Sequence, residues 1–130
     1  MKIDQIQLRA KRCGFLELVG SQYRDLSSKL IKSLNNGDSD AILGMESTKG
    51  PYTVIGPENL YVRNKDLVER VIDIDDAISV FRENAWKIGK GGDFEYIEFD
   101  GNGLVWTQDG PTMCAIWHLA KYISHGTRNI

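Results

Sequence analysis

Residues 85–108 read AWKIGKGGDFEYIEFDGNGLVWTQ. Apolar and aromatic side chains crowd this run: Trp86, Ile88, Phe94, Tyr96, Ile97, Phe99, Leu104, Val105 and Trp106. Gly91-Gly92 and Gly101-Asn102-Gly103 interrupt it. Apolar runs bounded by Gly and Asn are the usual signature of short strands joined by tight turns. The stretch therefore predicts a meander of three short strands. The Gly-Gly turn predicts a positive φ at Gly91 or Gly92, a conformation that glycine adopts without a steric penalty.

The flanks frame this meander with helices. On the C-terminal side, Gln108-Asp109-Gly110-Pro111 reads as a turn. A helix then begins at Thr112 and carries Met113, Ile116, Trp117, Ala120 and Ile123 on one face, with Gly126 as its C-cap. On the N-terminal side, Asp75 or Asp76 caps a helix through Phe81 and Asn84. Residues 66–76 fit either a helical turn or a short strand. Further upstream, Tyr52–Ile55 and Asn59–Arg63 have the β-branched and aromatic content of strands, and Gly50-Pro51 and Gly56-Pro57 mark their turns. Ala41–Glu46 is a third candidate strand. Ser21–Asn36 is the clearest helical pattern: Tyr23, Leu26, Leu30 and Leu34 form a stripe, Ser21 is a potential cap, and Asn35-Asn36-Gly37 is the stop. Ile3, Ile6, Ala10 and Cys13 recur at helical spacing, and Phe15–Val19 is expected to pack inward. The prediction is an α+β fold over a single domain, 1–130. Its sheet is mostly antiparallel, since the turns are too short for parallel crossovers, with N-terminal helices and a C-terminal helix packed on it.

The totals are those of an ordinary globular chain: 130 residues, 42% hydrophobic, 26% charged, and a net charge of −2. No apolar run approaches the length of a membrane span. The opening MKIDQIQLRAKRCG lacks the continuous apolar stretch of a secretory signal, and Cys13 and Cys114 are the only thiols. Both features point to a reducing, cytoplasmic setting. The small net charge hides an asymmetry. Residues 1–36 carry seven Lys and Arg against three acids, and residues 66–110 carry eleven acids against four bases. A fold with charge of one sign on one part can steer a partner of the opposite sign.

Several motifs invite a chemical reading. GGDFE at 91–95 has the glycines of a diguanylate cyclase turn, but Phe94 stands where the second acid belongs. Gly89, Gly91 and Gly92 do not complete a phosphate loop. Asp73, Asp75 and Asp76 alternate like calcium ligands without the glycine and late glutamate of such a loop, so capping and solvation explain them better. Cys114 and His118 are neighbours at i and i+4 and could pair as thiol and base. Cys114 lies beside an apolar stripe, however, and is expected to be buried. Cys13, and with it a carboxylate or His125, would have to join that pair to hold zinc, so no metal and no cofactor are expected. The aromatics Trp86, Phe94, Tyr96, Phe99 and Trp106 are expected in the core. Stacking on nucleic acid is disfavoured by the neighbouring Asp93, Glu95, Glu98 and Asp100.

In WKIGKGGD (86–93), FEYIEF (94–99) and GLVW (103–106) the chain resembles the SUKH (Smi/Knr-like) superfamily. There an apolar strand leads into a Gly-Gly-Asp turn, a second apolar strand, a small turn and a Gly-x-Val-aromatic strand. YRDLSSKLIKSLNNG (23–37) is similar to the helix and Asn-Gly turn of that superfamily. The resemblance implies an α+β fold and, in bacteria, a non-enzymatic immunity protein that binds and neutralises a toxin domain, as in contact-dependent growth inhibition. The charge asymmetry adds the expectation that the partner is a basic nuclease. The candidate contacts are the acids of two stretches: Asp73, Asp75 and Asp76, and Asp93, Glu95, Glu98 and Asp100. The alternatives are a small cytoplasmic enzyme using Cys114 and His118, or a regulatory interaction module without a toxin.

Overall fold

A computed structural model of the chain describes residues 3–88 and 92–128. The fold is α+β. Five strands form one antiparallel sheet in sequence order: β1 (Tyr23–Arg24), β2 (Leu43–Glu46), β3 (Tyr52–Ile55), β4 (Asn59–Arg63) and β5 (Glu69–Asp73). A separate hairpin pairs β6 (Tyr96–Phe99) with β7 (Gly103–Trp106). The helices are α1 (Ile3–Arg12), α2 (Phe15–Val19), α3 (Lys29–Asn35), α4 (Ile74–Ile88) and α5 (Gly110–Arg128).

Alternation along the strands gives the large sheet two different faces. Leu43 and Met45, Ile55, Leu60 and Val62, and Ile72 share the inner face. They pack with Phe81 of α4, Ile116 and Leu119 of α5, and Ile97 and Phe99 of the hairpin in the main core. Tyr52, Val54 and Tyr61 point to the outer face and form a smaller core with Ile31, Leu30 and Leu34 of α3. Each N-terminal helix enters the main core through an i,i+4 pair of its own, Ile6 with Ala10 in α1 and Phe15 with Val19 in α2. Gly14, at φ +83°, makes the bend between α1 and α2.

Polar contacts fasten the hairpin to the sheet. The Lys65 N–H donates to the Leu104 carbonyl at 2.9 Å. Buried Asn64 donates from Nδ2 to the Asn102 carbonyl at 2.8 Å, and its Oδ1 accepts from the N–H groups of Asp66 and Val68. On the inner face, Thr53 Oγ1 donates to the Trp106 carbonyl, and Thr107 Oγ1 donates to that of Phe94.

Four expectations need correction. Trp86–Ile88 is not a strand, because α4 runs through it. Ala85, Trp86 and Lys87 continue the helix, so the meander has two strands within 85–108 rather than three. The helix expected over 21–36 begins only at Lys29. Asp25 and the serines capture the backbone first. The Asp25 carboxylate accepts from the N–H and Oγ of Ser27, and Ser28 Oγ accepts from the Asp25 N–H. Such local bonds compete with helix formation. They free Tyr23–Arg24 to pair with Met45 and Gly44 as the edge strand β1. The last helix starts at Gly110, with Asp109 Oδ1 accepting from the Thr112 N–H, and it continues past Gly126. Finally, residues 66–76 resolve into β5 plus the start of α4, with neither alternative covering the whole segment. The expected positive φ at Gly91 or Gly92 depends on Gly91, which lies outside the described residues.

Candidate functional site

The seven candidate acids fall into three groups. The first sits where β5 runs into α4. Asp73 Oδ2 accepts from the N–H groups of Asp75 and Asp76 at 3.0 and 3.2 Å, so Asp73 is the cap, in place of Asp75 or Asp76. Asp75 Oδ1 accepts from Ser124 Oγ on α5 at 2.7 Å and ties the two helices together. Asp76 is exposed in the first helical turn, where the helix dipole favours a negative charge. Capping and helix tethering thus occupy two of these three acids.

The second group lies at the junction of the sheet and the hairpin. Asp93 and Glu95 line a cleft of about 620 Å³ together with Lys49, Lys65, Tyr96 and Leu104. Asp93 Oδ1 accepts from the Glu95 N–H at 3.0 Å. Lys65 Nζ stands 5.2 Å from the centre of the Tyr96 ring. Burial and the Glu95 charge push the Tyr96 hydroxyl above its ordinary value. The lysines facing these acids come from parts of the chain remote in sequence, so the expected surplus of negative charge is partly offset here.

The third group is a groove between α4 and the hairpin. Glu98 and Asp100 line it from one side, and Glu83, Asn84 and Lys87 line it from α4. Glu98 follows from strand alternation: Ile97 and Phe99 turn inward and are buried, and Glu98 between them faces out. Three residues on from Glu83 along α4, outside the lining of this groove, stands Trp86. It is 85% exposed, the most exposed of the large hydrophobic residues described. The core expectation holds for Phe94, Phe99 and Trp106, which are buried, and Tyr96 is partly so. It fails for Trp86, because α4 carries that position away from the core.

The thiol sites also differ from expectation. Cys114 is exposed, as is His118, because the buried face of α5 is Met113, Ile116, Ala120 and Ile123 and Cys114 lies off it. Cys13 is half-buried, with its Sγ 3.4 Å from the Ala10 carbonyl. Among the described residues no three His, Cys, Asp or Glu side chains are grouped as metal ligands, and no helix is long and apolar enough to cross a membrane.

Two features escaped the sequence reading. One is the exposure of Trp86, which follows from its helical rather than strand setting. The other is that β5 is the open edge of the large sheet. Its burial pattern leaves Ile72 alone inside, and Val71 is 62% exposed. The ERVID segment contains that alternation, but only strand order shows that no further strand among the described residues covers it.

Comparison with known proteins finds no matching family model, no matching curated protein and no matching solved structure.

Proposed function

We propose that this chain is a non-enzymatic immunity protein that binds a cognate bacterial toxin domain, a nuclease with a basic surface, and neutralises it by direct contact. The observation that carries this reading is Trp86, an indole held almost fully in water on α4, the helix whose Glu83 lines a groove with the carboxylates of Glu98 and Asp100. An aromatic anchor rimmed by charge is the anatomy of a protein-binding hot spot. Burying roughly 200 Å² of indole at about 25 cal/mol per Å² is worth on the order of 5 kcal/mol before ordering costs. The carboxylates of that groove suit a partner that itself binds nucleic acid, because such a partner presents Lys and Arg. The resemblance of residues 86–106 and 23–37 to the SUKH superfamily points the same way through its FEYIEF and GLVW segments, while its first strand falls in α4 and its helix is shorter than the resemblance implies. The reading needs neither Cys114 nor His118, and it assigns the contact acids to Glu98 and Asp100, with Glu83 added.

The test is co-expression with the product of the adjacent gene, followed by titration. Trp86→Ala is expected to weaken the complex at least about tenfold while leaving the fold unchanged by circular dichroism, since hot-spot truncations cost about 2 kcal/mol or more. Wild-type affinity in both Trp86→Ala and the Glu98→Lys/Asp100→Lys double variant would remove this surface from the interaction. A partner of a metabolic kind, bound at the same surface, would favour a regulatory module instead.

A further inference from the structure

β5 is the edge of the five-stranded sheet, and its hydrogen bonds to β4 are known in phase. The Asn64 N–H donates to the Val68 carbonyl and the Ile74 N–H donates to the Glu58 carbonyl, which flank the Arg70–Val62 and Ile72–Leu60 pairs. In an antiparallel ladder the bonded pairs alternate. Arg70 and Ile72 therefore bond to β4, and the N–H and C=O groups of Glu69, Val71 and Asp73 point away from it. Arg70 Nη1 donates to the Glu69 carbonyl at 3.2 Å, so an added strand shares that acceptor with the Arg70 guanidinium. The side chains of Glu69, Val71 and Asp73 all lie on the outer face, level with Arg63, Tyr61 and Asn59 of β4. Beneath them a groove of about 440 Å³ runs beside α3, lined by Leu34, Tyr52, Tyr61 and Val71 together with Glu69 and Arg70.

We propose that β5 is a docking edge that takes an extended segment of a partner protein as a sixth strand, with a basic residue, an apolar residue and a basic residue on alternate positions of one face. The apolar residue pairs with Val71 over the groove. The two basic residues pair across the strands with Glu69 and Asp73. Added strands gain affinity from main-chain hydrogen bonds and specificity from alternate side chains. Charge decides the occupant. On and beside this edge the exposed acids Asp66, Glu69, Asp73 and Asp76 outnumber Arg63 and Arg70, and an incoming base shares Glu69 with Arg63 at 3.4 Å and with the Tyr52 hydroxyl. A second copy of this chain is disfavoured by the same charges, since an antiparallel self-pairing centred on Val71 sets Glu69 of each copy against Asp73 of the other. This edge is separate from Trp86 and the α4 groove, and the proposal holds whether or not the partner is a toxin.

The probe is a blocked, fluorescently labelled peptide, Thr-Lys-Thr-Val-Thr-Lys-Thr, titrated against the whole chain by anisotropy. Expected is saturable binding, protection of the Val71 amide from hydrogen exchange, and at least about tenfold weaker binding of two controls. One control has the same composition in scrambled order, and the other is N-methylated at the amides that face the edge. Val71→Pro removes an outward N–H without touching the β4 ladder and is expected to abolish binding. Val71→Lys does the same by charge and serves if the proline variant does not fold. Equal binding of the scrambled peptide would mean charge attraction alone and would overturn the proposal. So would the absence of saturation up to about 1 mM, or a concentration-dependent dimer that disappears in Val71→Lys.

Discussion

Two glycines show how a single position can carry very different weight. Gly44 of β2 faces Val54 across the sheet, and a Cβ there would fall 2.5 Å from the Val54 Cα. Backbone cannot yield as a flexible side chain can, so Gly44→Ala is expected to cost on the order of 3 kcal/mol or more. Gly101 has φ +77° in the β6–β7 turn, and a Cβ added there would meet nothing within 4 Å. Gly101→Ala should therefore cost only the left-handed backbone term, about 1 kcal/mol. Urea midpoints for the two variants check this ordering, and equal midpoints would contradict it. The turn glycine was legible from sequence, because Gly-Asn-Gly between apolar runs announces a turn. Gly44 was not, since its constraint comes from a strand that only the register brings close. Tyr52 is a third case. Its hydroxyl donates to Glu69 Oε2 at 2.9 Å. Burial first, and then the Glu69 hydrogen bond and charge, raise its pKa above the ordinary tyrosine value of 10.0. The unfolded chain ionises Tyr52 near that ordinary value and the folded chain only above it. This contribution to stability is therefore complete below pH of about 10 and is lost as pH rises beyond it. Tyr52→Phe is expected to flatten the alkaline decline by about 1.4 kcal/mol per pH unit. An unchanged slope would show that the hydroxyl is not held in its protonated form.

Among the elements, those set by one local signal were readable and those set by competition were not. β3 and β4 lie where their apolar content and Gly-Pro turns put them. The helix expected over 21–36 failed because periodicity in Tyr23, Leu26, Leu30 and Leu34 said nothing about the Asp25, Ser27 and Ser28 bonds that close the chain on itself first. The end of α4 failed in the opposite sense. Apolar Trp86 and Ile88 look like strand residues, yet no cap stops the helix before Ile88. Its start is different. The cap there is the last residue of β5, and Asp73 serves both elements at once. Asp73→Ala is expected to lower stability by about 1 kcal/mol, and Asp73→Asn should restore most of it, because asparagine caps equally well. Asp76→Ala, which loses only a favourable charge near the helix N-terminus, should cost a few tenths to about 1 kcal/mol at low salt and less at high salt. Thermal melts of the three variants at two ionic strengths separate the cap from the dipole. A salt-sensitive loss in Asp73→Ala of the same size as in Asp76→Ala would argue against capping.

Across the whole molecule, the charge asymmetry was visible in the sequence and its geometry was not. Linear reading grouped seven acids into two stretches. The fold sends Asp73 and Asp75 to structural work, sets Asp93 and Glu95 opposite Lys49 and Lys65, and leaves Glu98 and Asp100 in a groove with Glu83 and, among the described residues, one lysine, Lys87. Pairings between remote segments are set by register and layer packing, which composition does not encode. The acids therefore cannot contribute equally to steering. Charges on an exposed rim act over roughly a Debye length, about 8–10 Å at physiological salt, and chiefly set the association rate. Association of the wild-type chain with its partner is expected to slow as ionic strength rises. Glu83→Lys, Glu98→Lys and Asp100→Lys together should slow association at low salt by about tenfold or more and flatten that dependence. Asp93→Lys with Glu95→Lys should have a smaller effect, because Lys49 and Lys65 already offset those acids. Asp73 is left intact in both sets, so that loss of a helix cap cannot pass for loss of recognition. Stopped-flow rates against ionic strength, with circular dichroism for each variant, make the comparison. A wild-type rate indifferent to salt would end the case for acid-driven recognition, and the search for the contact surface would move to the basic residues of the N-terminal segment.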